Sequence, residues 1–180
     1  MLERTSRWLA GVALAVAVLC AEAAGLAPLP ESLATGDNQY RVLGSGRMRW
    51  FGLHLYDAAL WVSGREHGWD QSFVLDIRYA RDFYGARIAE ASADEIRRLG
   101  SGDPRRIDSW REQMARIFPD VRKGEHITGV FRPGLGAEFF YQGRPLGTVY
   151  DADFARAFFS IWLDPRTREP KLRAALLGQR

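Results

Sequence analysis

The sequence predicts an α+β fold in which helices pack on one face of an antiparallel sheet. Period-two alternation is clear at Phe73 to Tyr79, where Phe73, Leu75, Ile77 and Tyr79 share a face and Asp76 and Arg78 take the other. Helical spacing is equally clear at Ile107, Trp110, Met114, Ile117 and Phe118, which form one apolar stripe. The patterns run strands, helices, strands, helices, without the regular βαβ alternation of a doubly wound sheet.

Taken in order, residues 24–38 read as a loose leading segment, because Pro28 and Pro30 discourage regular structure. Gln39 to Leu43 and Arg47 to Phe51 read as two short strands around the glycines, and Leu53 to Val62 as a longer one. Ser63 to Gln71 is a polar loop leading to the Phe73 strand. Ile88, Ser92, Ile96 and Leu99 then fall at helical spacing, with Gly100 as a stop. Ser92 with Glu95 also fits a capping box, which would divide this region into two helices. The next helix has Asp103 as its cap and Pro104 at its first position. His126 to Arg132, Ala137 to Gln142 and Leu146 to Tyr150 read as a meander turning at Pro133-Gly134 and at Gly143. Asp151 or Asp153 caps a helix carrying Phe154, Phe158, Ile161 and Trp162, which Pro165 ends. A last short helix runs from about Pro170 to Leu177, closed by Gly178.

The first 23 residues stand outside this scheme. Arg4 and Arg7 precede an uncharged, mostly aliphatic run from Trp8 to Cys20, and Ala21-Glu22-Ala23 offers a small-x-small cleavage site. The run is shorter than the ~20 residues that cross a bilayer. The pattern is that of a secretory signal peptide cut after Ala23, with an uncleaved anchor as the alternative. A lipoprotein would use Cys20, but Leu19 is large where that signal wants a small residue. Cleavage would remove Arg4, Arg7, Glu3 and Glu22, which leaves the charge balance unchanged, and also Cys20, the one cysteine of the chain. No disulfide or thiol chemistry would remain. The expected location is exported and periplasmic. The remaining ~155 residues suffice for one sizeable core, hence one domain at 39–180.

Composition narrows the function. The net charge is +3, dispersed among carboxylates with no lysine or arginine block, so nucleic-acid binding is not expected. His54, His67 and His126 are scattered without ligand spacing, so no metal and no cofactor are expected. Gly44-Ser45-Gly46 lacks the third glycine of a dinucleotide loop and reads as a bulge or turn. There is no Gly-x-Ser-x-Gly elbow. Arg81 with Asp82 reads as an ion pair or a helix start.

A set of short pieces, in this order, carries a resemblance. It begins with Gly44-Ser45-Gly46 leading into Arg47 and Arg49, then Tyr56-Asp57-Ala58-Ala59-Leu60-Trp61 and Tyr79-Ala80-Arg81-Asp82. Phe118-Pro119-Asp120-Val121-Arg122-Lys123-Gly124-Glu125 and Tyr141-Gln142-Gly143-Arg144-Pro145-Leu146-Gly147 follow. Asp153-Phe154-Ala155, Phe159-Ser160-Ile161-Trp162-Leu163 and Leu176-Leu177-Gly178 complete it. The set resembles the exported, bacterial chalcone isomerase-like group over nearly all of Leu43 to Gly178. The resemblance implies an open-faced β-sandwich, with a large antiparallel sheet, helices on one side and a ligand cleft between them.

In the plant enzymes of this fold, an arginine after the glycines holds a phenolate, and a threonine on the next strand, a tyrosine and an asparagine organise water and the ketone. By resemblance the arginine is Arg47 or Arg49, and the threonine's place holds Tyr56. Tyr84 is the nearest counterpart of the tyrosine, and the asparagine has none. The set therefore resembles the fold's non-catalytic members, which bind a fatty-acid carboxylate, better than the flavanone-forming enzymes.

Each candidate keeps two readings at the level of sequence. Arg47 and Arg49 are either solvated, ion-paired strand residues or the planar forks that grip a carboxylate. Tyr56 is either a core tyrosine with its hydroxyl at the sheet edge or an additional donor. The stripe of Phe154, Phe158 and Trp162 is core, with part of it lining the cleft by resemblance. The leading expectation is a monomer, without a stable membrane span, that binds a small amphipathic anion such as a fatty acid or aromatic acid. The alternatives are a cofactor-free isomerase and an envelope interaction protein with a vestigial cleft.

Overall fold

A computed structural model describes residues 29–34 and 39–179. The expected signal peptide at 1–23 lies outside the described residues. Six strands form one antiparallel sheet whose spatial order follows the chain: β1 (Arg41–Trp50), β2 (Leu53–Val62), β3 (Phe73–Tyr79), β4 (His126–Arg132), β5 (Gly136–Tyr141) and β6 (Arg144–Val149). Between β3 and β4 the chain forms α2 (Gly85–Leu99) and α3 (Pro104–Ile117), and after β6 it forms α4 (Ala152–Leu163) and α5 (Pro170–Leu176). A single turn, α1 (Glu31–Ala34), precedes the sheet.

The two faces of the sheet carry different cores. Leu60, Leu75, Ile77, Ile127 and Phe139 point to one face, where they meet Ile96 of α2, Ile107 and Met114 of α3, Phe154 and Phe158 of α4 and Leu172 of α5. Val74, Val130 and Phe140 point to the other, where Leu33 of α1 covers them beside Tyr40 and Trp61. The order of elements and the one-sided helix layer are those of an open-faced α+β sandwich. In the described part of the leading segment, residues 29–34, the chain differs from the expectation. Pro30 does not keep it irregular but supplies the carbonyl that accepts from Leu33 and Ala34 as α1 turns over the outer face.

The helix caps follow local chemistry. The Asp103 carboxylate accepts from the backbone N–H of Arg105 and Arg106, with Pro104 at the first helical position. Asp151 accepts from the N–H of Asp153 and Phe154 and so caps α4. The same carboxylate accepts from the Trp110 indole at 2.9 Å, which ties α3 to α4.

Two expectations are corrected. The region 85–99 is one helix, because Ser92 does not cap a second one: its hydroxyl donates to the Ile88 carbonyl one turn back, at 2.8 Å. The two short strands around the glycines are one continuous strand, β1, with irregular register near Val42/Gly44 and Met48/Arg49. The glycines do not turn the chain. They leave room for α5, which crosses β1 so closely that a Cβ at Gly44 would overlap the Ala175 carbonyl, and one at Gly46 would lie 2.8 Å from Leu172 Cδ1.

Candidate functional site

Between the helix layer and the sheet lies a cavity of about 400 Å³. Its floor comes from Tyr56 of β2, Leu75, Ile77 and Tyr79 of β3, and Ile127 of β4. Its roof comes from Ile88, Ala91 and Ser92 of α2 and from Phe158, Ile161 and Trp162 of α4. The roof residues come from the inner stripes of amphipathic helices that do not close fully on the sheet. Part of the α4 stripe therefore lines the cavity, as the resemblance implied, while Phe154 is fully buried beyond it.

Few polar groups face this space. The Tyr56 hydroxyl accepts a hydrogen bond from the Trp162 indole at 3.0 Å. Burial pushes its pKa up to about 12 against the effect of that bond, and the charges of Glu169 and Glu95 push the same way. Burial raises Tyr79 still further, with Tyr56 and Asp76 adding to it. Both tyrosines are therefore neutral donors near neutral pH, not phenolates. At the rim, Arg87 and Glu95 are the charged lining residues. Glu95 is ion-paired: Arg98 holds one oxygen at 2.8 Å and Arg168 the other at 3.1 Å. A smaller recess of about 110 Å³ shares Met48, Tyr56 and Trp162 with the cavity and extends it to Trp50, Arg168 and Glu169.

The structure parts the three residues singled out from the sequence. Tyr56 lines the cavity, and its cross-strand partner is Met48, which lines it too. Side chains alternate along a strand, so Arg47 and Arg49 leave on the opposite face. Arg47 is half exposed and donates through Nε to Asp57 Oδ1 at 3.0 Å. Arg49 is exposed and donates to the Gly52 carbonyl at 3.4 Å. Neither lines the apolar cavity. Tyr84 is 71% exposed and stands before α2, outside the cavity. Asp82 does not pair with Arg81 but accepts from the backbone N–H of Lys123 at 2.8 Å.

Sequence reasoning missed Tyr79 and Arg87 as site residues, and it reached Trp162 only as part of the α4 stripe. Tyr79 had a signal, because it ends the apolar face of β3 with a hydroxyl. Arg87 had only its place beside the inward-facing Ile88. Among the described residues no group of three or more His, Cys, Asp or Glu is placed to hold a metal, and no helix is long and apolar enough to cross a membrane.

Comparison with known proteins agrees with this architecture. A protein of Haemophilus influenzae described as uncharacterized is 27% identical over 143 residues, which span 78% of this chain and 69% of that protein. Among solved structures, a fatty-acid binding protein of Arabidopsis thaliana superposes with a TM-score of 0.61 at 14% identity, covering 81% of this chain and 90% of the other. At that identity the likeness is one of fold. The model of the chalcone isomerase-like family matches residues 21–178, and the chain belongs to that family.

Proposed function

We propose that this chain binds a small amphipathic anion, a fatty acid or an aromatic acid, without catalysing its conversion. The observation that carries the reading is the cavity itself. Its volume of about 400 Å³ falls in the ~300–1,000 Å³ range of small-molecule sites. Its walls are mostly aliphatic and aromatic, with the neutral hydroxyls of Tyr56 and Tyr79 and that of Ser92 inside, and Arg87 with the ion-paired Glu95 at the rim. The tail would lie over Leu75, Ile77 and Ile127, beneath α2 and α4. Tyr56 and Tyr79 would donate to polar atoms, and Arg87 would meet the charge. The engagement of Glu95 by two arginines removes the main source of repulsion at the rim. The fatty-acid binding fold neighbour is consistent with this use of the architecture.

The binding unit in this reading is a monomer that needs no cofactor, and the cavity walls within one chain support it. The placement of the protein in the periplasm rests on the basic-then-apolar pattern of residues 1–23. A role in catalysis would ask for a base beside the ligand, whereas the two tyrosine hydroxyls that line the cavity stay protonated at neutral pH and the Glu95 carboxylate is held by Arg98 and Arg168.

The test is native mass spectrometry on protein purified from the compartment that holds it. A retained mass in the range of a fatty or aromatic acid is the expected result. Ala91 is exposed at the rim, so Ala91→Trp should block the cavity at little cost in stability and abolish retention. Absence of any retained mass in the parent protein, together with no binding of the fluorescent fatty acid cis-parinaric acid, would sink the reading. Ring closure of an added chalcone, followed by absorbance, would replace binding by isomerisation.

A further inference from the structure

We infer that the β1–β2 hairpin tip docks on an anionic phospholipid bilayer, beside the opening through which an amphipathic ligand reaches the cavity. The argument starts from the turn. Trp50 pairs with Leu53, and the two residues between them, Phe51 and Gly52, have φ of 47° and 80°. A two-residue turn with both central residues at positive φ is the type that favours Asn-Gly. Phenylalanine in the left-handed region is strained, and nothing in the fold repays it, because Phe51 is 92% exposed. Trp50 at 47% and Leu53 at 52% extend the apolar surface on either side, and the Trp50 and Phe51 rings meet edge to face. Aromatic side chains of this kind are at home at the level of lipid headgroups.

The charge beside the tip fits an anionic surface. Arg49 stands next to Trp50, and a broad groove of about 790 Å³ opens on the outer face behind it. That groove is lined by Arg47, His54, Arg78, Arg81 and Lys123, with Asp57 as its carboxylate. Such a surface attracts phosphate headgroups at the membrane while the apolar tip enters the interface. Two copies of this chain brought tip to tip would instead oppose two basic grooves, which disfavours self-association as the use of this surface.

The position of the tip also deepens the ligand reading. Trp50 lines the recess that continues into the apolar cavity through Met48, Tyr56 and Trp162. A bilayer at the tip would thus sit against that opening and serve as the reservoir of an amphipathic ligand. This last step rests on the cavity reading proposed above, whereas the docking surface stands on the hairpin and the groove.

The test places an environment-sensitive NBD label at the tip, through Phe51→Cys in a Cys20→Ser background, on protein as the cell processes it. Vesicles of phosphatidylethanolamine with phosphatidylglycerol are the probe. The expected result is a blue shift and brightening of the label, weakened by salt. A control label at Leu135→Cys reports the β4–β5 turn, which the antiparallel registers place at the other end of the sheet, and it should not shift. In vesicle co-sedimentation, Phe51→Asn with Leu53→Thr should lower the bound fraction by about tenfold or more, as the loss of the interfacial side chains requires. The same variant should melt no lower than the parent, since Asn suits this turn. No shift at position 51, an equal shift at positions 51 and 135, or a concentration-dependent dimer undone by the double variant overturns the inference. Ala91→Trp separates the two proposals: it should lose ligand retention yet keep the shift at position 51. If the parent retains no ligand but the tip label still responds, the cavity reading fails and the docking surface stands.

Discussion

The Trp162 indole N–H donates to the Tyr56 hydroxyl at 3.0 Å, joining α4 to β2 across 106 positions of sequence. The bond pins the helix layer to the sheet at the wall of the cavity, and it uses one lone pair of a hydroxyl that keeps its proton.

Tyr56→Phe should therefore cost stability as well as affinity. The indole N–H, on a residue only 8% exposed, would lose its acceptor, at a cost of about 1–3 kcal/mol. Urea unfolding checks the first effect, and weaker cis-parinaric acid binding by the folded fraction checks the second. In alkali the sign is set by the raised pKa. The unfolded chain releases the Tyr56 proton near pH 10 and the folded chain only near 12, so stability should fall as pH rises between them. Tyr56→Phe should remove its share of that slope.

Gly44→Ala tests the clasp of α5 on β1. The added methyl group would overlap the Ala175 backbone carbonyl and crowd that of Leu176, neither of which is a flexible side-chain end. A loss at the upper end of the overpacking range, about 3 kcal/mol, is expected in urea or thermal melts. Unchanged stability would mean that α5 does not rest on this strand.

His67 should make the protein sensitive to mild acid. Burial among Trp69 and Phe73, followed by the charges of Arg156 and Arg173, pulls its pKa from 6.5 to about 4. The unfolded chain therefore binds a proton that the folded chain refuses. The His67 contribution is full above pH 6.5, is lost as pH falls toward about 4, and changes no further below. His67→Phe keeps the ring contacts and should flatten that part of the stability profile, as read by thermal melts across the acid range.

Arg47→Ala and Arg87→Ala should behave differently. Arg47 meets Asp57 as a half-exposed pair on the outer face, so its loss should change stability by less than ~1 kcal/mol and leave cis-parinaric acid binding as it was. Arg87 stands at the cavity rim, and its loss should weaken binding of that acid while sparing a neutral probe such as N-phenyl-1-naphthylamine. Calorimetric melts and fluorescence titration distinguish the two. Equal losses of binding in both variants would return the anion site to the outer face.

Much of this protein was determined locally and so was legible in its sequence. The bounds of β3 follow from alternation, the start of α3 follows from Asp103 and Pro104, and that of α4 from a cap at Asp151 or Asp153, because caps and alternating faces are set by neighbours in the chain. The family was legible as an order of short pieces. What only the tertiary structure decided concerns faces and distances. Alternation shows that Arg47 and Arg49 share a face, but not that Tyr56 takes the other. That depends on the pairing of Met48 with Tyr56 beside an irregularity in β1, and on which face the helices cover. The purpose of Gly44 was likewise invisible until α5, more than a hundred residues later, was seen lying against it. The cavity belongs to no segment, because it is the volume left where α2 and α4 fail to close on the sheet. Contacts between distant elements are set by the packing of the whole core, and no local pattern encodes them.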